Sequence, residues 1–367
     1  MVSSLVYRRF VMKAFLEPYY SGSHRSFADS VIKMFPGEFV LFTLPGRHWK
    51  WRMHGAAVSL ARQVMDSGID FTDIIATSLI DLALLKSIIS SKLPECRYTV
   101  YFHENQLCYP WSQNDKDPTE RKDLHYGFMN FTTALTADRV IFNSKYNMNS
   151  FFGALGPFLK AFPDENLDGS IAGIIAKSEV VYPGFEPVNV KREQNGVPVI
   201  LWNHRWEYDK NPDEFFNSLF MLKDKGIKFR VAVAGEERTR APEIFAKAKD
   251  KLKNEIISWG YLESRNDYFE LLGKCDILPV TAHHEFFGIS VLEAASAGVI
   301  PLLPLRLSYP ELFPQNVFSE FYYDEGGLTQ ALINAIVNRG MFDTGKISER
   351  ACKFRTEEVL RSLNGSF

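Results

Sequence analysis

Short apolar segments alternate with amphipathic segments along the whole chain. We predict buried strands at the first group of apolar segments, which covers residues 13–17, 39–44, 71–77, 97–102 and 139–142. The alternation starts afresh with a second group at residues 197–202, 229–234, 256–259, 277–280 and 299–304. Strands that alternate with helical segments are typical of parallel sheets. The pattern therefore predicts an α/β fold of two Rossmann-like, doubly wound domains facing each other across a cleft.

The restart after residue 196 sets the expected domain organisation. A length of 367 residues suits two domains of roughly 150–200 residues each. We expect an amino-terminal domain over residues 12–184, a linker over 185–196 and a carboxy-terminal domain over 197–345. A final helix over 346–367 could return to the amino-terminal domain. Residues 1–11 read as an extension ahead of the fold, and 113–123 as a charged, proline-bearing loop.

Composition narrows the class of protein. A hydrophobic content of 46% and a net charge of −2 describe a folded protein without a general basic surface, so any nucleic-acid contact would be a local patch. The four cysteines form no CxxC pair, which argues against a zinc site or disulfide framework and favours a reducing compartment. No uncharged apolar run is long enough to span a membrane, and residues 1–11 lack a signal-peptide core. We expect a cytoplasmic protein that does not contact membranes.

The segment from His284 to Leu303 carries the strongest chemical signal. It reads HEFFGISVLEAASAGVIPLL, with Glu285 and Glu293 eight positions apart, and a helix is expected to begin after Gly288. Eight residues are just over two helical turns, so one ligand could meet both carboxylates. The free amides at a helix amino terminus attract anions. This segment therefore predicts a site for a ligand that has both hydroxyls and phosphates.

Polar residues follow several predicted strands, at the edge where α/β folds bind ligands. Arg205 and Lys210 follow the segment at 197–202 and suit a diphosphate, as a fork of donors and a point charge. His103 follows the segment at 97–102, and the first predicted strand leads into a loop, Ser21-Gly22-Ser23-His24. No Asp-x-Asp motif follows a strand, so we expect no metal. The absence of GxGxxG makes a dinucleotide-binding dehydrogenase a weak alternative.

A group of basic and aromatic residues lies in a predicted loop ahead of a helix expected at 55–67. Its members are Arg47, His48, Lys50, Trp51, Arg52 and His54. One interpretation is a solvated loop whose tryptophans fold onto the surface. The other is a surface that stacks on a base and contacts phosphates of RNA, or of another planar acceptor.

Several of these features occur in the order of a known family. The carboxy-terminal half resembles the donor-binding half of retaining GT-B glycosyltransferases of family 4, on Arg205 with Lys210, Gly235-Glu236, Gly260-Tyr261-Leu262, and Glu285 with Glu293. The runs EPYYSGSHRSFADS, LPGRHWKWRMHGAA, YFHENQLCYPW and FNSKYNMNSFF resemble the tRNA-queuosine α-mannosyltransferase family. That resemblance covers nearly the whole chain from about residue 12 onward.

The resemblance implies transfer of mannose from GDP-mannose to queuosine in the anticodon loop of tRNA-Asp, with retention of configuration and without a cofactor. It implies catalytic roles for His103, Arg205, Lys210 and Glu285. The implied donor contacts are Gly22, Ser23, Gly235, Tyr261, Phe287, Gly288, Ile289, Ser290 and Glu293, with Glu293 on the ribose. The expected tRNA contacts are His24, Arg47, His48, Lys50, Trp51, Arg52 and Asn105. The oligomeric state stays open.

Two other functions are compatible with the same residues. One is a family 4 glycosyltransferase that acts on a small molecule, a lipid or a polysaccharide, although no basic amphipathic membrane-docking helix is evident. The other is a catalytically silent RNA-binding protein on the GT-B fold. The four charged residues Arg205, Lys210, Glu285 and Glu293 argue against the silent protein.

Overall fold

The computed structural model describes residues 12–110, 123–162, 167–193, 196–237 and 241–361. The predicted extension at 1–11 and the predicted loop at 113–123, apart from its last residue, lie outside the described residues. The chain forms two compact units. The first runs to Pro183 and includes the chain again from Leu360, and the second is Gly184–Val359.

The first unit is built on a parallel sheet whose strands follow the predicted apolar segments. Its strands are β1 (Met12–Tyr20), β2 (Phe39–Pro45), β3 (Phe71–Thr77), β4 (Arg97–Phe102), β5 (Arg139–Phe142) and β6 (Ser178–Val180). They lie in the order β2-β1-β3-β4-β5-β6. Ala14 pairs with Val40 on one side and with Ile74 on the other. The strand order therefore reverses between β1 and β3, and such a switch point is where doubly wound sheets bind ligands.

Helices cover both faces of this sheet. They are α1 (Gly22–Met34), α2 (Trp49–Asp66), α3 (Leu82–Ile89), α4 (Asp123–Thr136), α5 (Lys145–Lys160) and α6 (Ile171–Ala176). The longer helices bury an apolar stripe; in α2, for example, Ala57, Leu60 and Ala61 are fully buried.

The second unit repeats the architecture with its own core. Its strands are β7 (Val199–Trp202), β8 (Arg230–Ala234), β9 (Ile256–Gly260), β10 (Ile277–Pro279), β11 (Ile300–Pro304) and β12 (Tyr322–Tyr323). The order is β12-β11-β10-β7-β8-β9, all parallel, so the switch point lies between β7 and β10. The strands are almost wholly apolar because both faces are covered.

The helices of the second unit are shorter. They are α7 (Pro212–Asp224), α8 (Ile244–Lys251), α9 (Arg265–Lys274), α10 (Ile289–Ser296), α11 (Tyr309–Leu312), α12 (Leu328–Val337), α13 (Thr344–Cys352) and α14 (Thr356–Leu360). The predicted class, an α/β protein with two Rossmann-like, doubly wound domains, is confirmed by the two sheets. Within the described ranges, no helix has both the length and the apolar character that a bilayer crossing requires.

Three local predictions were wrong. The expected loop at 21–24 is the first turn of α1, because Ser21 is extended and Gly22 turns the chain at a φ of 52°. The expected loop at Arg47–His54 is mostly helical, since α2 begins at Trp49. The expected single final helix is two helices in the described residues: Asp343 caps α13, and the backbone N–H of Thr356 donates to Phe185 O as α14 begins.

Candidate active site

Lys210 lies at the centre of a buried charged cluster in the second unit. It follows β7 at the end of a short 3-10 helix (Tyr208–Lys210), and only 6% of its surface is exposed. Its Nζ donates to the main-chain oxygen of His284 at 2.7 Å. The same atom lies 3.2 Å from Asp209 Oδ2 and 3.4 Å from Glu285 Oε2. The end of β7 and the loop after β10 are therefore joined through one ammonium group.

The charges of this cluster stabilise one another. Burial by itself lowers the pKa of Lys210, but the Glu285 and Asp209 carboxylates outweigh it and raise that pKa. Burial by itself raises the pKa of Glu285, whereas the Lys210 ammonium group and the Phe287 amide help to lower it below its usual value. The Phe287 N–H donates to Glu285 Oε1 at 3.3 Å. An ionised carboxylate and an ammonium group are thus held at this strand edge at neutral pH.

Two histidines border the same cluster. Burial is the main cause that lowers the pKa of His204 to about 4, and Lys210 lowers it further. The pKa of His284 is likewise lowered to about 4 by burial and then by Lys210. Both rings are therefore neutral at pH 7 and add no positive charge. His204 Nε2 is buried and has no hydrogen-bond partner among the described residues.

Arg205 lies at the rim of the cluster. Its side chain is 39% exposed, and its two terminal nitrogens lie 3.3 and 3.2 Å from the two oxygens of Glu207. Arg205 and Lys210 are thus both close to β7, as predicted, but each is already engaged with a carboxylate. An incoming anion would have to compete with Glu207 for the guanidinium group.

The amino terminus of α10 adds main-chain donors. Gly288 precedes the helix at a φ of 104°, and Cβ there would lie 3.4 Å from Leu312 and 3.5 Å from Tyr309. Ser308 Oγ donates to Phe287 O at 2.7 Å, and Asn203 Nδ2 donates to Ser290 O at 2.9 Å. Glu285 lies before the helix rather than on it. The first amides of α10, at Ile289 and Ser290, are the kind that lack an intrahelical partner and bind anions.

Glu293 lies one turn into α10 and faces α9. Its Oε1 accepts from Arg265 Nη2 at 3.1 Å, and Tyr268 also hydrogen-bonds to the carboxyl group. Burial raises the pKa of Glu293 to about 7, although Arg265 and Tyr268 both act to lower it. Tyr268 Oη in turn accepts from Asn203 Nδ2 at 3.0 Å. The carboxyl group can therefore titrate near neutral pH.

The other predicted donor contacts differ in exposure. Tyr261 follows β9 and is 60% exposed, so its ring is open to a ligand. Gly235 has a φ of 130°, and a Cβ on it would lie 2.1 Å from the main-chain oxygen of His204. The structure thus gives Gly235 a packing role, in which it allows the loops after β7 and β8 to approach closely.

A second polar cluster lies in the first unit, around His103. The Glu17 carboxylate is fully buried, and its Oε1 lies 3.2 Å from His24 Nδ1. The His24 and His103 ring centroids are 4.2 Å apart. Burial lowers the pKa of His103 well below its usual range, and His24 lowers it further. His103 Nε2 is buried without a hydrogen-bond partner among the described residues.

Glu17, His24 and His103 could together hold a metal ion, since one ligand atom from each lies within 4.8 Å of the others. Two imidazoles and a carboxylate are a donor set that zinc uses. However, the Glu17 oxygens already accept from the Tyr19 amide at 2.8 Å and from Thr77 Oγ1 at 3.0 Å. A metal ion would also have to displace the contact between Glu17 and His24, and metal independence stays a prediction.

Two predicted tRNA contacts are interior residues. Only 8% of His24 is exposed, and its Nδ1 is engaged by Glu17. Asn105 is fully buried; its Nδ2 donates to Asn147 Oδ1 at 2.8 Å and its Oδ1 accepts from the Cys108 amide at 3.0 Å. These contacts give Asn105 a part in the conformation of this loop, and its role toward the acceptor stays a prediction. Gly22 and Ser23, by contrast, are exposed at the start of α1.

The basic and aromatic residues at 47–54 form an exposed face around the start of α2, which we call the α2 face. Trp51 is 73% exposed, and Arg47, His48 and His54 are exposed as well. Arg52 is partly engaged, because its Nε and Nη2 donate to Pro45 O at 3.2 and 3.0 Å. Trp49 packs inward on Tyr126, with ring centroids 5.1 Å apart. The face therefore presents one large free ring among positive charges.

An open cavity of about 640 Å³ lies in the second unit near the amino ends of β7 and β8, where Val199 and Arg230 contribute to its lining. Ligands of doubly wound sheets bind at the opposite, carboxyl edge. We therefore place the candidate site at the Lys210 cluster and α10.

Sequence reasoning missed several residues of these clusters. Asp209 and His204 are adjacent to predicted residues, and their position just after β7 was a usable signal. Glu17 ends the first predicted strand, and a charged residue at the end of an apolar segment was a usable signal. Asn203 directly follows β7, so its position after that strand was a usable signal as well. No pattern in the sequence points to Tyr268 or Arg265, because each is defined by a contact between distant segments.

Both halves of the chain match family models of glycosyltransferases. Residues 13–185 match the family model described as tRNA-queuosine alpha-mannosyltransferase N-terminal, and residues 187–337 match Glycosyl transferases group 1. The chain is 35% identical over 332 residues to the tRNA-queuosine alpha-mannosyltransferase of Drosophila melanogaster. That match covers 87% of this chain and 85% of the relative.

Solved glycosyltransferase structures share the fold. Anabaena HepE in complex with UDP gives a TM-score of 0.68 at 14% identity, over 97% of this chain and 99% of that one. Sucrose-phosphate synthase from Thermosynechococcus elongatus gives a TM-score of 0.71 at 10% identity, and the match covers 96% of this chain and 98% of that one. At these identities the likeness concerns the fold alone, and it confirms the predicted GT-B class. Because residues 13–185 match the amino-terminal family model and the chain is 35% identical to the Drosophila protein, the chain belongs to the tRNA-queuosine alpha-mannosyltransferase family.

Proposed function

We propose that this protein transfers mannose from GDP-mannose to queuosine in the anticodon loop of tRNA-Asp, with retention at the anomeric carbon. The observation that carries the proposal is the 35% identity to a tRNA-queuosine alpha-mannosyltransferase across 87% of the chain. The charged cluster at β7 and α10 supports it further, because its groups suit a sugar linked to a diphosphate.

The second unit would bind the donor. Arg205 and Lys210 would compensate the charge of the diphosphate, and the amides of Ile289 and Ser290 would donate to its oxygens. Glu285, held in place by Lys210 and by the Phe287 amide, would accept hydrogen bonds from hexose hydroxyls. Glu293 would accept from the ribose hydroxyls when its carboxyl group is ionised.

The reaction exchanges one bond at the anomeric carbon for another. The bond from this carbon to the diphosphate oxygen breaks, and a bond forms to a queuosine hydroxyl oxygen on the same face of the sugar. The hydroxyl proton passes to the departing phosphate oxygen, so the products are mannosyl-queuosine and GDP. Negative charge grows on the diphosphate as the bond breaks, and Lys210 and Arg205 would stabilise it. His103, neutral because of its burial, would orient the acceptor or the transferred sugar.

The α2 face would bind the anticodon loop. RNA loops are recognised through unstacked bases on aromatic rings and through phosphate contacts. Trp51 offers a ring that is 73% exposed, and Arg47 and His48 are exposed beside the start of the same helix. A cytoplasmic setting fits this substrate and the four cysteines, which are all free.

The test is to incubate the purified protein with queuosine-containing tRNA-Asp and, in separate reactions, with GDP-mannose, GDP-glucose and UDP-glucose. The tRNA is then digested to nucleosides, and their masses are measured by mass spectrometry. We expect a hexose-sized gain on queuosine with GDP-mannose only. The matched control is the same tRNA carrying guanosine in place of queuosine, which should gain nothing.

Other outcomes separate the alternatives. A gain only with UDP-glucose would contradict the proposed donor but keep the acceptor. No gain with any donor, together with tight tRNA binding, would favour a silent RNA-binding protein. Hydrolysis of a donor without transfer to tRNA would favour a family 4 transferase with a small-molecule, lipid or polysaccharide acceptor.

A further inference from the structure

Two buried polar residues that the proposed reaction does not use lie at the switch point of the first sheet. Glu17 is near the carboxyl end of β1, and Thr77 is the last residue of β3. Thr77 Oγ1 donates to Glu17 Oε2 at 3.0 Å and so joins the two strands between which the strand order reverses. His24 lies in the first turn of α1, with its Nδ1 3.2 Å from Glu17 Oε1. These groups therefore occupy the edge of the sheet where ligands bind.

The hydrogen bonds of Glu17 determine the tautomer of His24. Glu17 Oε1 accepts from the Tyr19 amide at 2.8 Å and lies 3.2 Å from His24 Nδ1. A carboxylate only accepts hydrogen bonds, so the proton of this contact is on His24 Nδ1. Glu17 therefore fixes both the orientation of the His24 ring and the position of its proton.

The ring of His103 is enclosed by three other rings. The centroid of His24 is 4.2 Å away, that of Tyr101 is 4.8 Å away, and that of Phe27 is 5.0 Å away. The Tyr101 hydroxyl donates to Val181 O at 2.9 Å and is thus engaged elsewhere. The main chain of His103 is held by Asn143 Nδ2, which donates to its carbonyl oxygen at 2.8 Å. Of the three rings, His24 is the one that is itself anchored to a buried carboxylate.

We propose that Glu17 and His24 are positioning residues for His103. Glu17 holds the His24 ring, and the His24 ring, packed at 4.2 Å between centroids, sets the orientation of the His103 imidazole. The inference rests on the proposed function, because His103 matters to transfer only if the reaction takes place beside it. A buried Glu17 carboxylate would be costly without its hydrogen-bond donors, which are the Tyr19 amide, His24 and Thr77. The contact between Glu17 and His24 therefore contributes to stabilising this carboxylate.

The effect should appear in turnover rather than in donor binding. An imidazole that is rotated no longer orients the group it contacts, and a misplacement of about 1 Å can cost on the order of 10²-fold in rate. The proposed donor contacts of the Lys210 cluster are all in the second unit. We therefore expect loss of Glu17 or His24 to lower kcat by about tenfold or more while the donor KM stays within about twofold.

Three variants and one control test this. Glu17→Gln keeps the size of the side chain, His24→Phe keeps a ring without nitrogen, and Thr77→Val removes only the hydrogen bond to Oε2. The control is Glu38→Gln, because Glu38 pairs with Lys13 at 3.2 Å on the exposed side of the unit. For each, kcat and the donor KM are measured with queuosine-containing tRNA, and thermal melting verifies folding.

A second readout does not depend on activity. The protein has eight histidines, and 15N-labelling of their rings with His103→Gln for assignment identifies the His103 ring signals by NMR. In the wild type we expect one set of His103 ring signals, and in Glu17→Gln and His24→Phe shifted or split signals, because the imidazole no longer keeps one position among the neighbouring rings. Thr77→Val should give a smaller change in kcat and in the spectrum, and Glu38→Gln none.

The outcomes separate the inference from the proposed function. Wild-type His103 signals in both main variants would overturn the inference, as would altered signals with an unchanged kcat. Stoichiometric metal in the purified wild type that is lost in His24→Phe would also overturn it, since the three groups would then be ligands. If the wild type fails to modify queuosine but the signals shift as expected, the proposed function fails while the structural link from Glu17 to His103 stands.

Discussion

Glu293 should make the protein less stable as the pH rises. Its carboxyl group is buried against α9, and burial raises its pKa from 4.5 to about 7 despite the contacts with Arg265 and Tyr268. At a pH between 4.5 and about 7, Glu293 keeps its proton in the folded protein and releases it in the unfolded chain. The folded state is therefore favoured most at or below about pH 4.5, and this contribution is lost progressively as the pH rises to about 7.

The size of the effect follows from the shift. The rise of the Glu293 pKa from 4.5 to about 7 corresponds to about 3 kcal/mol, since a tenfold change in an equilibrium constant is about 1.4 kcal/mol. Glu293→Gln has nearly the same shape and no charge at any pH. The variant should therefore be more stable than the wild type by about 3 kcal/mol at pH 8, and about equally stable near pH 4.5.

The assay is urea unfolding of both proteins at several pH values between about 4.5 and 8, followed by tryptophan fluorescence. Glu270→Gln is the control, since Glu270 is exposed on α9 and its loss should leave the wild-type pH profile unchanged. Calorimetric binding of GDP to the same proteins should show weaker binding by Glu293→Gln, despite its greater stability. A stability difference that is independent of pH, or a variant less stable than the wild type at pH 8, would refute the reasoning.

Three further predictions concern other parts of the site. Lys210→Met leaves Asp209 and Glu285 buried without their cation, so unfolding should require about 3–5 kcal/mol less and transfer should be abolished; wild-type stability in denaturant would contradict this. Gly235→Ala brings a Cβ to 2.1 Å from His204 O, whereas Gly226→Ala, with a φ of 73° and open space around it, carries only backbone strain. GDP binding should therefore weaken in the first variant alone. Trp51→Ala should weaken tRNA binding by about 1–3 kcal/mol in a filter assay, and equal affinity for Trp51→Ala and for the control Val58→Ala would exclude the α2 face.

The fold could be predicted well from the sequence because its strands are buried on both faces. Such strands appear as short apolar runs, and the restart at residue 197 marked the second sheet. The predicted helix bounds were less accurate. The first turn of α2 contains Trp49, Lys50 and Trp51, whose pattern shows no apolar stripe because only Trp49 packs inward, on Tyr126. Contacts that form only in the folded unit decided where that helix begins.

Site residues that lie in a local sequence pattern could be predicted. Contacts between residues from separate helices and strands could not. Lys210 was found because it follows a strand, and Glu285 because of its spacing from Glu293 ahead of an expected helix. The structure brings their charged atoms to 3.4 Å. His24 was predicted as an acceptor contact because it lies in an apparent loop after the first strand. Its pairing with Glu17, seven positions earlier in a strand, depends on how α1 turns back over β1. No local pattern reveals such a contact.

The most direct test of mannose transfer is the mass of queuosine from tRNA-Asp after a single-turnover reaction with isotopically labelled GDP-mannose. If the protein is a queuosine mannosyltransferase, the nucleoside gains one labelled hexose and GDP is released in equal amount. The Lys210→Met protein should give neither product. Unmodified queuosine in the presence of the folded wild-type protein and intact donor would contradict the assignment.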